Sequence, residues 1–210
     1  MNQARLFLII IALLISFFLT YYSQTYLVTE NHIYSFYSTQ LSYEQIEKML
    51  ANQEKWAWVG YAFIPIFYFI KIGLVSTCVY VGVLLGASQK VGFKKIMPAV
   101  IKADMVFFVP ALIKIVWFTF QTDYTLTDLQ TFLPGSLLNF LEPSEIAPWL
   151  AYPLQAINIY ELAFWVILAF QLKEYFKNDA TSAFQTVALS YGSGFIIWVV
   201  FIVFLTINLT

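Results

Sequence analysis

The chain has 210 residues, of which 60% are hydrophobic, 20% aromatic and only 11% charged, with a formal net charge of −1. Soluble domains carry about 25% charged and about 45–50% apolar residues, so this excess cannot be hidden in a water-soluble core. Cys78 and His32 are each alone in the sequence, which excludes an intramolecular disulfide and a zinc site built from Cys and His of one chain.

Residues 6–22 follow Arg5 as an unbroken apolar run, about 25 Å of helix, just enough for a thin bilayer core. The run ends Leu-Thr-Tyr-Tyr-Ser-Gln, without the small-x-small pattern of a cleavage site, and reads as an uncleaved signal anchor. In the polar and aromatic stretch 23–55, Ser42 and Gln45 have capping-box spacing. Tyr43, Ile46, Met49 and Leu50 then recur at helical spacing opposite Glu44, Glu47, Lys48 and Gln53. This predicts a short amphipathic helix lying on the membrane surface or against the other helices, on the outer side, which closes a first unit, residues 1–55. Residues 56–210 are expected to hold four further spans.

The second span, 56–86, opens with Trp56 and Trp58 and carries one charge, Lys71. It is longer than a hydrocarbon core of about 30 Å requires, so it must tilt, bend near Pro65 or project. Lys90, Lys94, Lys95 and Lys102 crowd the segment 87–102, which has no acid. They orient the chain and offer a surface to anionic lipid headgroups, at about 1 kcal/mol per lysine. The third span, 103–121, begins beside Asp104 and contains Lys114. Residues 122–152 hold Asp123, Asp128, Glu142 and Glu145 and no base, and are broken by Pro134-Gly135, Pro143 and Pro148. Their many Leu and Phe residues predict an interfacial or partly re-entrant hairpin. A fourth span, 153–172, contains Glu161; after Lys173 and Lys177 the fifth runs from Phe184 to Leu209. With the N-terminus cytoplasmic, five spans place Arg5, Lys90, Lys94, Lys95, Lys102, Lys173 and Lys177 inside and only Lys48 and Lys55 outside. The C-terminus is then extracytoplasmic.

Each ionisable side chain at a helix centre costs about 2.5–3.5 kcal/mol on insertion scales, so partners are needed. Counted from the outer helix ends, Lys114 and Glu161 both fall about 10–12 Å deep and are expected to pair. Lys71, about 22 Å below the outer end, is expected to snorkel toward Asp104 at the inner interface. Such a pair can relay protons or ions, or it can merely fix helix register. Gly82-x-x-x-Gly86 and Ala188-x-x-x-Gly192, followed by Gly194, predict close approach of spans two and five. There is no Ser-His-Asp set, HExxH, P-loop or GxGxxG, so neither an enzyme nor a bound cofactor is expected.

From about residue 90 onward the chain resembles the bacterial Yip1-domain membrane proteins. The resemblance rests on Phe93-Lys94-Lys95 before an apolar span, on Phe132-Leu-Pro-Gly-Ser-Leu-Leu138, and on Asn158, Tyr160 and Trp165 near the start of the fourth span. It implies five helical spans without catalytic residues; eukaryotic members act in vesicle trafficking and contact small GTPases. The fold expected is thus an all-α integral membrane protein of a bacterial inner membrane, with short amphipathic or interfacial segments in the outer loops. Its expected role is that of a scaffold or accessory subunit whose partners are lipids and another membrane protein or a second copy, not nucleic acid. The alternative is a small transporter or channel component using the Lys114–Glu161 pair.

Overall fold

A computed structural model describes residues 3–141 and 146–209; Glu142, Pro143, Glu145 and Thr210 lie outside them, as does the side chain of Arg5. The described chain is helical, with one isolated bridge in place of any strand. Its helices are α1 (Gln3–Tyr22), α2 (Glu30–Tyr37), α3 (Tyr43–Gly86), α4 (Phe93–Asp104), α5 (Phe108–Phe120), α6 (Leu126–Thr131), α7 (Pro148–Ala156), α8 (Ile159–Leu172) and α9 (Ala180–Leu209). Among the described residues four segments are long and apolar enough to cross a membrane: Leu6–Leu27, Tyr43–Gly86, Phe93–Phe120 and Ala180–Leu209.

The first is longer than 6–22, because a π turn, Ser23–Leu27, carries α1 onward without a break. That lengthens the span to about 33 Å and removes the need for a thin bilayer. Ser42 does cap a helix, accepting from the Gln45 N–H while Gln45 returns a bond to the Ser42 N–H at 2.8 Å. The helix does not stop at residue 55, however. No breaker intervenes, Pro65 is accommodated inside it, and α3 runs unbroken for 44 residues, about 66 Å. The expected short surface helix and the second span are one rod, and the boundary expected at 55/56 falls inside it. About half of that length exceeds a core of about 30 Å.

The core lies on the lysine-loop side of the bundle. Ile72, Val79 and Val83 of α3 meet Ile96 and Val100 of α4, Phe164, Leu168 and Leu172 of α8, and Ala183 and Val187 of α9. On α3 the buried face is Tyr68, Ile72, Ser76, Val79 and Val83, steps of three and four residues. Helix α8 packs on α4 and α9. It is not continuous with α7, since the chain turns extended at Ile157 and Asn158. A smaller outer core gathers Leu27, Phe118 and Leu129.

Helices α3 and α9 do approach closely, but the α9 stripe differs from the expected one. A Cβ at Gly82 would lie 2.5 Å from the Ser190 side chain, one at Gly86 2.8 Å from Thr186 Oγ1, and one at Gly194 3.0 Å from Cys78 Sγ. The stripe facing α3 is therefore Thr186, Ser190 and Gly194, one turn apart, and not Ala188 and Gly192. Gly192 faces Trp165 of α8 instead. The Thr186 and Ser190 hydroxyls donate back to the carbonyls of Ser182 and Thr186, at 2.9 and 2.7 Å. They thus bring small volume to the seam without an unsatisfied polar group.

This packing separates two glycines by outcome. Gly82→Ala should lower stability in detergent by about 1–3 kcal/mol, as over-packing does. Gly60, with open space around it, should tolerate Ala or gain about 0.5–1 kcal/mol from reduced backbone freedom. In a Ser190→Gly background the Gly82→Ala loss should shrink to a fraction, measured by SDS titration of the folded protein. An unchanged loss would place the clash elsewhere.

Candidate functional site

Three ionisable residues of the spans, Lys71, Asp104 and Glu161, converge on one level of the bundle. Asp104 ends α4, and the chain continues through a 3₁₀ turn, Met105–Phe107, into α5. Residues three apart eclipse in a 3₁₀ turn, so Asp104 and Phe107 present to the same side. Lys71 of α3 meets both: its Nζ lies 2.6 Å from Asp104 Oδ1 and 4.6 Å from the centre of the Phe107 ring. Asp104 is buried, with a side chain 5% exposed, whereas Lys71 is 48% exposed. The carboxylate belongs to the interior and the ammonium to the bundle surface.

Glu161, 8% exposed, sits in the first turn of α8. That turn is made by Asn158, whose Oδ1 accepts from the Glu161 N–H at 2.9 Å while its Nδ2 donates to the carbonyls of Gln155 and Ala156. A carboxylate there is favoured by the helix dipole, by about 0.3–1 kcal/mol. One turn on, Trp165 Nε1 donates to Glu161 Oε1 at 2.9 Å. The indole is seated over Gly192, where a Cβ would come within 2.8 Å of its ring. Tyr191 of α9 brings its hydroxyl to the same carboxyl group. The buried Tyr68 hydroxyl, within the field of Asp104, has no hydrogen-bond partner among the described residues.

Helix arithmetic explains the convergence. Asp104 is eleven residues from Phe93, Glu161 eleven from Leu172 and Tyr191 eleven from Ala180. All three therefore stand about 16 Å above the lysine-loop ends of their helices. Lys71 is fifteen residues from Gly86, about 22 Å. It comes level with Asp104 because α4 starts higher than the end of α3: the ring of Phe93 lies edge-on to Tyr80, six residues before Gly86. The Lys71–Asp104 pair is thus in mid-span rather than at the inner interface, because the helix bearing Asp104 begins at Phe93 and not at Ala103.

Lys114 and Glu161 do not meet. Lys114 is ten residues past Asp104, about 15 Å farther out, and Nζ donates to the Leu129 carbonyl of α6. The expected pair assumed one helix from Pro153, which put Glu161 too near the outer surface. The break at Asn158 makes depth from that end meaningless. Trp165, Tyr191 and Asn158 had no part in the expected site, although Asn-x-x-Glu followed four residues later by Trp has capping and i,i+4 spacing. Lys90, Lys94, Lys95 and Lys102 are all exposed; only Lys90 lies in the loop, while Lys94 and Lys95 are in the first turn of α4 and Lys102 in its last, before Asp104.

Two cavities lie at the other end. One of about 460 Å³ is bordered by Trp117, Tyr124, Asp123 and Asp128. The other, of about 310 Å³, is bordered by Lys114. Neither is lined by Asp104 or Glu161. Among the described residues no group of His, Cys, Asp and Glu has the arrangement of a metal site.

Lys71→Met should leave Asp104 buried without its cation. Breaking a buried pair costs about 3–5 kcal/mol, and the half-exposed lysine puts the loss toward the lower end. Lys71→Met with Asp104→Asn should recover most of it, a coupling that a double-mutant cycle in SDS titration reads directly. Additive losses would show that the two charges are independent. No family model, curated protein or solved structure matches the chain.

Proposed function

We propose that this chain is a non-enzymatic inner-membrane protein that works by binding, as a scaffold or accessory subunit of a membrane complex. One observation carries the reading. A mid-span ion pair hides its acid inside the bundle and leaves its lysine half exposed among Phe67, Ile70 and Leu74 on the outside of α3. Lipid tails give an ammonium nothing to bond, and burial against a polar or acidic partner helix removes that cost. In this reading α7 and α8 together make a fourth span and α9 a fifth, as in the Yip1-domain proteins that the chain resembles. The N-terminus is cytoplasmic and the C-terminus extracytoplasmic. Exposed Lys90, Lys94 and Lys95 hold the cytoplasmic face against anionic headgroups.

A photo-crosslinking residue at position 67 or 74 should capture a second polypeptide in the native membrane, with the loss of that adduct in the Lys71→Met/Asp104→Asn variant. Position 189, exposed on α9, should give lipid adducts only. Reporter tags on the two chain ends should fall in opposite compartments. Lipid adducts alone at 67 and 74 would end the accessory-subunit reading, and tags in one compartment would end the five-span one.

A second reading, proton or ion transport, is favoured by a second buried carboxyl group, Glu161, within the field of the Lys71–Asp104 pair, with the unpartnered Tyr68 hydroxyl in the field of Asp104. It predicts proton uptake by proteoliposomes that Glu161→Gln abolishes. Uptake by the unaltered protein no greater than that of protein-free vesicles, or uptake unchanged in Glu161→Gln, would remove it.

A further inference from the structure

We propose that the cavity over Lys114 is a binding site for a phosphate-bearing molecule of headgroup size, on the side of the bundle away from the lysine loop. The cavity, about 310 Å³, is roofed by the outer segments. Ser23 and Gln24 come from the π turn, Tyr37 from α2, Gln53 from α3 and Gln130 from α6, and Lys114 of α5 stands beneath them. Among the described residues Lys114 is the one charged side chain in its lining.

The chemistry follows from that lysine. The ion pairs among the described residues are Lys48–Glu44 and Lys71–Asp104, and Lys114 is in neither. Its ammonium is partly buried and has one neutral acceptor, the Leu129 carbonyl, for three donors. A cation withdrawn from water without a counter-charge is costly, and an anion in the adjoining cavity supplies it. Three amides and two hydroxyls around the same space are donors for the remaining phosphate oxygens, with lysine as the point charge. The neighbouring cavity carries Asp123 and Asp128, so an anion is steered to one side of α6 and not the other. The volume is at the low end for ligand pockets, which are about 300–1,000 Å³, and suits a glycerophosphate-sized group rather than a nucleotide. Such a group is found both on anionic lipids and as a free phosphate ester.

The test uses the full chain. In uncharged detergent, thermal unfolding is followed against inorganic phosphate and glycerol phosphate at constant ionic strength set with chloride. In nanodiscs, native mass spectrometry compares retention of phosphatidylglycerol and phosphatidylcholine. The site predicts saturable stabilisation by the free phosphates, selective retention of phosphatidylglycerol, or both, and which arm responds identifies the source. Lys114→Arg should keep the response and Lys114→Met weaken it at least tenfold. Gln53→Leu, on the projecting and exposed part of α3, should weaken it several-fold and serves if Lys114→Met does not fold. No saturable response in either arm, or one unchanged in Lys114→Met or in Gln53→Leu, would overturn the site.

Discussion

A carboxyl group in hydrocarbon must be given partners, and this bundle is arranged so that two of them have theirs at the same height. Asp104 has Lys71, and Glu161 has Trp165, Tyr191 and the first turn of α8. The packing choices nearby follow from that requirement. Gly192 is small because the indole that bonds Glu161 lies against it. The 3₁₀ turn after Asp104 brings Phe107 round to the lysine. Gly82, Gly86, Ser190 and Thr186 draw α3 onto α9, which fixes Tyr191, the partner of Glu161, at the level of Gly82. Loosening that seam would change the environment of a charge as well as apolar contacts.

The height of Glu161 is set from outside the bundle. Pro134 and Gly135 are the central residues of a turn closed by the Ser136 N–H on the Leu133 carbonyl at 3.1 Å, with Gly135 at a φ of +76°. A positive φ at the third position is what a type II turn demands, and a Cβ there would also strike Ile159 at 2.8 Å. The turn lets Leu137 donate to the Ile157 carbonyl and Ile159 to that of Gly135, both at 3.1 Å. These bonds hold Asn158 extended, where its side chain caps α8 and begins the helix two residues before Tyr160 and three before Glu161. Gln155 adds bonds from α7 to the carbonyls of Gln130 and Thr131. The loop's Pro134-Gly135 turn and backbone bonds therefore help to position a buried acid.

Local chemistry was readable in the sequence and relative depth was not. The Ser42 cap, the Pro134-Gly135 turn, the exposed lysines and the need for small residues between α3 and α9 are each written in a few adjacent residues. Depth depends on where each helix begins, and apolar composition blurs those points. Phe93 rather than Ala103 opens the helix of Asp104, and Ile159 rather than Pro153 opens that of Glu161. Errors of six to ten residues are about 9–15 Å, enough to give an acid the wrong lysine. The α9 stripe failed for a related reason: Thr186, Ser190 and Gly194 and the pair Ala188 and Gly192 share the same spacing, and only the azimuth of the helix chooses between them. The continuity of α3 was hidden because its character changes at Trp56 from amphipathic to apolar while its backbone does not change at all.

The two ends of the bundle are built differently. On α9 the buried residues are Ala183, Val187 and Gly192, with Ile196, Ile197, Val200, Phe201, Phe204 and Ile207 exposed beyond them. On α3 nothing is buried between Ile46 and Tyr68. The lysine-loop half is thus closed by side chains in contact, while the other half stands apart around two cavities and a second, small core. A close-packed interior resists rearrangement, so the half that holds Asp104 and Glu161 is the rigid reference. The splayed half, tied by bonds such as that from the Tyr124 hydroxyl to the Leu27 carbonyl at 3.0 Å, has the freedom to admit a ligand or a helix from a partner. Helix α3 spans both halves, and Pro65 interrupts its hydrogen-bond ladder between the exposed outer end and Lys71, so the outer end can bend while the salt bridge stays in the packed half.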